Sequence, residues 1–389
     1  MSIPGATYNL PGMGENQPYD LVIIGAGPAG STLARLLGRD CPDLRLLLLE
    51  KRALTTDDRQ KCCGGLLAPD AAKILKRMKL TPPASLFQSR QPLKVRALDL
   101  KSGRSCSYPR PYGNLDRLAL ERWLVSLLPP QVEFRPGCAC LGFGRRGEGW
   151  EIKVSNNETL RCRLLVSAEG AGSRLRRYLE SQSGGQARRR DRALYLAVQD
   201  SFPEEWRSSE HTAFFHPGLT DFYGWVVPKQ GETLLGLAMP LAASRRGGKT
   251  PGQVMAEARA LLARQGYHFA AEPARRACLL LRPCADDLYL GAGGIDGLGG
   301  GALCIGEAAG WISPSSAEGF SYAFASARAL AGAIRQEYQK GLKADNILAG
   351  YRRGTRLLRL NIAWKGLKAR VMYSPFLRAL IMASGVGAE

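Results

Sequence analysis

The 389-residue sequence lacks the features that identify membrane-spanning, metal-binding or secreted proteins. No run of about 20 apolar residues occurs, so no membrane-spanning helix is expected. Only three histidines are present, and the ten cysteines have no paired-knuckle spacing, which predicts no metal site. Residues 1–18 carry neither an apolar block nor a basic leader and are predicted to be a disordered tail. The scattered cysteines favour a reducing compartment and a cytoplasmic protein over a disulfide framework.

Acidic side chains are scarce relative to basic ones. The chain has 34 Asp and Glu residues against 54 Lys and Arg residues, which gives a formal net charge of +20. Such a charge favours anionic partners, among them a phosphorylated substrate or an anionic membrane face. Because no nucleic-acid-binding motif accompanies the basic clusters, no nucleic-acid partner is predicted.

The N-terminal part contains a glycine-rich turn between an apolar strand and a helix. Residues 21–24 are predicted as a buried strand, 29–37 as a helix and 44–49 as a second strand. The turn comprises Gly25, Gly27, Pro28, Ala29 and Gly30. Its Gly-x-Gly-x-x-Gly pattern lets backbone N–H groups and the helix N-terminus receive a pyrophosphate. Glu50, followed by Lys51, is placed to hold a ribose diol and to repel a 2′-phosphate, which predicts FAD or NAD rather than NADP.

A second glycine-rich turn lies near the opposite end of the chain. Residues 302–305 are predicted as a strand that enters a turn of small residues, where backbone can approach a flat, bulky cofactor. The cofactor-binding candidates in this part are Gly306, Glu307, Ala309, Gly310, Gly319 and Phe320. Two glycine turns at opposite ends imply one shared ligand, and an NAD-only dehydrogenase does not need the second turn. Together they predict FAD.

The pattern predicts an α/β protein, α+β overall, in which a Rossmann-like FAD-binding domain holds an inserted, mostly antiparallel sheet. The FAD-binding domain is predicted at 19–192 plus 286–335 and includes a substrate-facing segment at 60–115. Residues 193–285 are predicted to form the inserted substrate domain. Residues 336–389 are predicted to form basic amphipathic helices.

Shorter patterns locate elements within these domains. Two apolar runs flank Asn156-Asn157-Glu158 and predict a hairpin. In the inserted domain a helix is predicted at 253–264. The predicted strands there are 194–198, 213–215, 222–227, 234–239 and 278–281.

These residues together resemble the flavoprotein superfamily that includes aromatic hydroxylases, flavin halogenases and geranylgeranyl reductases, and most closely the geranylgeranyl reductase family. The resemblance covers about residues 19–335 and implies that Arg117 contacts the cofactor. It also implies that Glu169-Gly170 occupies the family's Asp-Gly position and Gly306-Glu307 its Gly-Asp position, both beside FAD. Each acid is Glu in this chain instead of Asp, and the extra methylene shifts the carboxylate.

The segment Cys62-Cys63-Gly64-Gly65 narrows the resemblance. It is similar to a segment of prenyl reductases that places a cysteine near flavin and substrate. The whole stretch around it looks like that of a bacterial dehydrogenase branch of the same family. The resemblance implies Cys63 as the catalytic group, with Cys62 as the alternative, and places Cys63 and Gly64 against the flavin. The competing interpretation is a pair of buried, inert thiols in a tight loop.

Tyr223 to Pro228 resembles the element that lines the isoprenoid tunnel of those reductases. The resemblance implies a substrate pocket formed by Tyr223, Trp225 and Pro228, together with Pro314, although alternating aromatic residues also occur in ordinary sheet packing. No motif supports a histidine as proton donor. Of the three, His216 in the inserted domain is the first candidate.

Residues 350–385 alternate basic and apolar side chains. Such helices can lie in an anionic headgroup layer, which predicts peripheral association with the inner face of a membrane. A helix pair that packs its apolar stripe on the domain is an equal and compatible interpretation.

The functional prediction is an FAD-dependent oxidoreductase of the geranylgeranyl reductase type. It would reduce or oxidise carbon–carbon bonds of an apolar or prenylated substrate by hydride transfer at flavin N5, with NAD(P)H or a ferredoxin-like protein as electron donor. The alternative is an FAD monooxygenase or halogenase that couples reduced flavin to oxygen on an aromatic substrate. A membrane-surface protein with a purely structural flavin is the third interpretation.

Overall fold

The structure is a computed structural model and describes residues 17–55, 62–89, 91–182, 193–203, 206, 208–242, 248–293 and 300–384, with side chains to residue 382. Nearly all of the predicted tail at 1–18 lies outside the described residues. The same holds for residues 183–192 of the predicted FAD-binding domain.

The strands of these ranges are numbered along the chain. They are β1 (Tyr19–Ile24), β2 (Leu46–Leu49), β3 (Leu66–Leu67), β4 (Leu93–Asp99), β5 (Ser105–Asn114), β6 (Val132–Arg135), β7 (Cys140–Arg146), β8 (Gly149–Val154), β9 (Thr159–Ser167), β10 (Leu194–Phe202), β11 (Glu210–Phe215), β12 (Gly224–Lys229), β13 (Glu232–Pro240), β14 (Ala274–Leu281), β15 (Gly291–Ala292) and β16 (Ala302–Cys304).

The α-helices of the same ranges are numbered in the same way. They are α1 (Pro28–Asp40), α2 (Pro69–Arg77), α3 (Arg117–Ser126), α4 (Arg174–Gln182), α5 (Pro251–Ala263), α6 (Phe320–Glu337), α7 (Ala344–Gly354), α8 (Arg356–Tyr373) and α9 (Pro375–Ser384).

The first sheet combines the two ends of the chain. Its strand order is β15-β16-β9-β1-β2-β6, and β1 runs parallel to both β2 and β9. The predicted β1-α1-β2 unit is therefore confirmed. The late strand β16 pairs in parallel with β9, so residues from both ends of the sequence form one sheet. The predicted hairpin is also confirmed, since β8 and β9 pair antiparallel around Asn157, whose φ is +65°.

The second sheet has the order β14-β10-β13-β12-β11-β4-β5-β3 and is antiparallel except where β4 meets β11. The predicted strands of the inserted domain are all present, some of them longer than predicted. β3, β4 and β5 come from the segment 60–115, which the sequence assigned to the FAD-binding domain; their hydrogen bonds place them in the second sheet. β5 was not predicted because it contains Pro109 and Pro111. A strand near the edge of a sheet tolerates proline.

Helices cover the first sheet and bring distant segments together. Leu33 and Leu37 of α1 share a buried cluster with Phe324 and Ala327 of α6. This packing holds the start of α6 close to the N-terminal glycine turn. Burying each of the leucine and phenylalanine side chains stabilises the fold by about 1.5–3 kcal/mol.

The C-terminal helices are attached to the second sheet by a buried ion pair. Nε and Nη2 of Arg378 in α9 donate to Oδ2 of Asp99 in β4 at 2.9 and 2.6 Å. Burial alone would raise the pKa of Asp99, but hydrogen bonds from the Ser102 backbone and Arg378 outweigh it and lower that pKa. No helix in the described part of the chain is long and apolar enough to cross a membrane.

Replacing Arg378 with methionine is expected to destabilise the fold by about 3 kcal/mol, because Asp99 would remain buried and charged without its partner. Denaturant unfolding measures the loss. Arg370→Met, which removes an exposed arginine of α8, is the matched control and should change stability little. Equal stabilities for the two variants would contradict the assignment of Arg378 as the anchor of α9.

Candidate functional site

The N-terminal glycine turn can be built only with glycine at two positions. Gly25 has a φ of +105°, and a Cβ there would lie 2.6 Å from the carbonyl oxygen of Ala168. A Cβ on Gly30 would overlap the carbonyl oxygen of Gly25. Helix α1 starts at Pro28 with Gly27 as N-cap and has no side-chain cap. The N–H groups of its first turn are therefore not capped by a side chain and are available to an anion at the positive end of the helix dipole.

The C-terminal glycine turn packs directly on the first one. Gly306 has a φ of +56°, and a Cβ there would lie 2.8 Å from the Cβ of Ala29. Its N–H donates to Oγ of Ser326 in α6 at 3.0 Å. The turn closes at Gly310, whose φ is +88°, and the carbonyl of Ala309 accepts from the backbone N–H of Tyr289. The structure thus brings the two predicted turns into contact.

Glu50 is buried and bonded within the protein. Its Oε2 accepts from the backbone N–H of Ala26 at 2.9 Å, and its Oε1 accepts from the backbone N–H and Nε of Arg52, each at 3.1 Å. The carboxylate therefore fixes the glycine turn against the end of β2. The adjacent Lys51 is exposed at the edge of the cavity described below.

Arg52 connects Glu50 to a second buried carboxylate. Its Nη2 donates to Oε2 of Glu121 at 2.8 Å, and Oε1 of Glu121 accepts from Nε and Nη2 of Arg117 at 3.0 and 2.8 Å. Nη1 of Arg117 contacts Sγ of Cys63 at 3.6 Å. The hydrogen-bonded chain runs through Ala26, Glu50, Arg52, Glu121, Arg117 and Cys63. It links the glycine turn to the cysteine loop.

The two predicted acids beside FAD also hold protein backbone. Oε2 of Glu169 accepts from the hydroxyls of Ser167 and Ser173 and from the backbone N–H of Leu175 at the start of α4. Oε1 of Glu307 accepts from the backbone N–H of Leu281 at 2.9 Å, which fixes the end of β14. Gly170, with a φ of +78°, lies between them, and a Cβ there would be 3.8 Å from Oε2 of Glu307.

A cavity of about 1220 Å³ opens beside these turns. Its walls come from the second sheet, the cysteine loop, the start of α6 and the C-terminal helices. The predicted site residues that line it are Lys51, Cys62, Cys63, Gly64, Arg117, Glu169, Gly170, Tyr223, Trp225, Glu307, Gly319 and Phe320. The guanidinium of Arg117 lies 4.9 Å from the ring centre of Phe320 within this wall. Residues implied by three separate motifs therefore share one cavity.

Other predicted residues lie outside the cavity wall. Gly25, Gly27, Pro28, Ala29, Gly30, Glu50, Gly306, Ala309 and Gly310 belong to the adjoining pair of glycine turns and their supports. Pro228 and Pro314, predicted for the substrate pocket, do not line the cavity either. The carbonyl of Pro228 accepts from Nδ2 of Asn114, and the carbonyl of Pro314 accepts from Nε of Arg282.

The two cysteines have different surroundings. Sγ of Cys63 accepts from the backbone N–H of Gly65 at 3.3 Å as well as contacting Arg117. A hydrogen bond from the thiol of Cys278 lowers the pKa of Cys62, and Cys278 itself lines the cavity. No sequence motif marked Cys278, which lies inside a predicted strand. In the described ranges no three His, Cys, Asp or Glu side chains come together as a metal site requires.

Lys229 is a further residue that the sequence analysis missed. Its Nζ donates to Oδ1 of Asn114 at 2.6 Å and to the carbonyl of Leu115 at 2.8 Å, beneath the cysteine loop. A Cβ on Gly65 would lie 2.9 Å from this Nζ. Burial lowers the pKa of Lys229 to about 8. A lysine that follows an apolar strand is normally assigned to solvent, and only the distant Asn114 reveals that it is buried.

Known proteins share this fold. No protein-family model matches the sequence. A geranylgeranyl bacteriochlorophyll reductase-like protein of Thermoplasma acidophilum superposes with a TM-score of 0.74 over 94% of this chain and 90% of that one, at 16% identity. A point mutant of the halogenase PltM in complex with FAD superposes with a TM-score of 0.66 over 92% of this chain and 76% of that one, at 15% identity. The predicted fold class is confirmed.

Sequence comparison identifies closer relatives. Protein CbrA of Escherichia coli O6:H1, strain CFT073, is 33% identical over 373 residues, which cover 95% of this chain and 94% of that protein. Relatedness at this level over nearly the whole of both chains shows common family membership. The chain belongs to the CbrA family.

Proposed function

We propose that the protein is an FAD-dependent oxidoreductase of the geranylgeranyl reductase type. It reduces, or in the reverse direction oxidises, carbon–carbon bonds of an apolar substrate. The observation that carries the proposal is a cavity that opens beside the paired glycine turns and is lined by the cysteine loop and an apolar face of the second sheet. The fold shared with flavoenzymes supports the general oxidoreductase class.

The residues of the two glycine turns fit FAD. A Cβ at Gly25, Gly30 or Gly306 would press on Ala168, Gly25 or Ala29, so glycine at these positions lets the two turns pack together beside the start of α1. The first turn of α1 holds the pyrophosphate, and the cavity beyond Glu307 takes the flavin end. When bound, FAD supplies hydride transfer through N5 of its isoalloxazine ring.

The cavity wall favours an apolar substrate. Beyond the cysteine loop, side chains of the second sheet and of the C-terminal helices form most of the lining. The apolar members are Leu66, Val95, Ala97, Ala197, Ala213, Phe215, Val227, Leu280, Val371 and Met372. The hydroxyl of Tyr223 donates to the carbonyl of Ser316 at 2.7 Å, so the tyrosine presents its ring to the cavity. Such a surface suits a prenyl chain.

Cys63 holds the proton that alkene reduction requires in addition to a hydride. Gly65 N–H donates to its Sγ and Arg117 Nη1 contacts it, so the thiol is held in a fixed position in the cavity wall. Cys62 takes this role if the substrate lies nearer to Cys278. NAD(P)H or a ferredoxin-like protein supplies the electrons.

His211 provides a polar group at the sheet end of the cavity. It lines the cavity, its ring contacts Tyr112 edge-on with centroids 5.1 Å apart, and its Nδ1 has no hydrogen-bond partner among the described residues. Burial lowers its pKa to about 4, so the imidazole is neutral at pH 7 and suits a neutral polar group of the substrate. His216, the first candidate from sequence, does not line the cavity.

The substrate class is tested by reducing the flavin anaerobically and adding a geranylgeranyl lipid. We expect flavin reoxidation to be at least about ten-fold faster with this lipid than with its fully saturated analogue, because only the alkene accepts a hydride. Stopped-flow absorbance measures both rates. Equal rates would contradict the proposed substrate class, and oxygen consumption stimulated by an aromatic compound would favour a monooxygenase or halogenase.

The same assay assigns the cysteines. Cys63→Ala should slow lipid-dependent reoxidation by about 10²-fold or more at unchanged FAD content, while Cys284→Ala, which removes an exposed thiol, should leave the rate unchanged. If only Cys62→Ala is slow, the proton comes from the neighbouring thiol.

Gly306→Ala is expected to weaken FAD binding by about ten-fold or more, because its Cβ would press on Ala29 and strain a φ of +56°. Fluorescence titration of the apoprotein with FAD measures the dissociation constant. Gly332→Ala in α6, where a Cβ meets nothing within 4 Å, is the matched control. Identical affinities in the two variants would place the cofactor away from the paired turns.

The depressed pKa of His211 predicts a loss of stability in acid. Below pH 6.5 the unfolded chain binds a proton at this histidine and the folded chain does not until about pH 4. The penalty therefore grows as pH falls through this window and reaches about 3 kcal/mol. Urea unfolding of wild type and His211→Gln at pH 7 and at pH 4.5 measures this penalty. The other titrating groups affect both proteins equally, so the difference between the two pH dependences belongs to His211. A pH dependence that is the same in both proteins would contradict the burial of a neutral imidazole.

A further inference from the structure

The C-terminal helices expose an unusual number of large apolar side chains. Nine large hydrophobic residues are exposed in the described part of the chain, and seven of them lie on α8 and α9. These seven are Leu357, Leu360, Trp364, Leu367, Phe376, Leu377 and Leu380. Trp364 is 66% exposed and Phe376 is 72% exposed. Contiguous exposed apolar surface of this kind marks an interaction site in soluble proteins.

Helical geometry places the exposed side chains of α8 on one stripe. Leu357, Leu360, Trp364 and Leu367 are spaced by three, four and three residues, which keeps them on one helix face. The buried residues of α8, Ile362 and Ala369, lie on the opposite face. The helix therefore buries one apolar face in the protein and presents a second one outward.

Basic side chains border this stripe on both sides. At 100° per residue, the exposed Arg356, Arg359 and Arg370 fall on one flank. The half-buried Lys365 and Lys368 fall on the other flank, at the rim of the cavity. Residues 346–388 contain eight Lys and Arg residues and no Asp or Glu. An apolar stripe between two positive flanks complements a surface that has apolar chains beneath a layer of negative groups.

We propose that α8 and α9 dock on the surface of an anionic phospholipid bilayer and lie in the plane of its headgroups. The apolar stripe enters the boundary of the acyl chains, and the exposed flanking arginines contact lipid phosphates. Neither helix crosses the bilayer, in agreement with the absence of any helix long and apolar enough to span a membrane from the described residues. Charge disfavours a second copy of this chain as the occupant, because two such faces repel each other.

The docking helices also form part of the cavity. Val371 and Met372 of α8 and Ile381 and Met382 of α9 line it, and the ion pair of Arg378 with Asp99 fixes α9 beside it. A lipid substrate can then pass from the bilayer to the cavity without crossing water. This last step rests on the proposed function, whereas the docking itself does not.

Vesicle co-sedimentation tests the proposal with the full-length protein and oxidised flavin, in the absence of any turnover. We expect binding to phosphatidylcholine vesicles with about 30% phosphatidylglycerol to be at least about ten-fold tighter than to phosphatidylcholine alone. About 0.5 M NaCl should weaken it strongly. Equal binding to both vesicle types, or none, would overturn the proposal while leaving the flavin chemistry untouched.

A variant and a matched control distinguish the contribution of the stripe to vesicle binding from that of any exposed apolar side chain. Trp364→Glu combined with Phe376→Glu should reduce vesicle binding by about ten-fold or more, because two side chains that enter the acyl boundary are lost. Leu141→Glu, at a residue 56% exposed on β7, is the control and should bind like wild type. Circular dichroism and unfolding midpoints confirm that all variants fold. A double variant that binds vesicles normally would overturn the proposal.

Arg356→Glu combined with Arg359→Glu tests the charged flank without touching the apolar stripe. It should remove the preference for phosphatidylglycerol. Sedimentation velocity without lipid detects self-association. A stable dimer that the Trp364→Glu and Phe376→Glu variant dissociates would assign the stripe to a second copy of the chain and overturn the proposal.

Discussion

A buried chain of alternating charges determines where the parts of the site lie. Glu50 and Glu121 each accept hydrogen bonds from two partners, and Arg52 bridges them. The far end, Arg117, reaches the sulfur of Cys63. Charges in a protein interior persist only when each one is paired, and loss of one partner costs about 3–5 kcal/mol. These ion pairs therefore set the distance between the N-terminal glycine turn and the cysteine loop. Removing any one partner would leave a buried charge unpaired.

The helices and strands that were predicted from the sequence are those specified by residues close together in the chain. The β1-α1-β2 unit and the hairpin at Asn157 follow from strand periodicity and glycine or asparagine in left-handed conformations. β4 and β5 did not follow, because β5 is half exposed and contains Pro109 and Pro111. Their place in the second sheet depends on pairing with β11, more than a hundred residues later, and no local pattern carries that information.

The residues of the candidate site also fall into two groups, those marked by a local motif and those that only the folded structure reveals. The glycine turns, the cysteine loop and Tyr223 with Trp225 could be chosen from sequence motifs. The cavity brings the cysteine loop and the two aromatic residues together beside the turns. Lys229, Cys278 and His211 could not be chosen in this way, since each acquires its character from burial by distant segments. Glu50 was predicted from its position to hold a ribose, and the structure adds hydrogen bonds from Ala26 and Arg52 that no local pattern indicated.

The contact between Gly306 and Ala29 also constrains the order in which the protein forms. A ribosome releases the chain from its N-terminus, so α1 is available long before the segment that packs on it. The chain segment between the two turns is long, and its ends must come together before the turns meet. This contact therefore forms late in folding. A nascent chain that ends before Gly306 lacks one of the two glycine turns. With the proposed function, FAD could bind only after nearly the whole chain has been made.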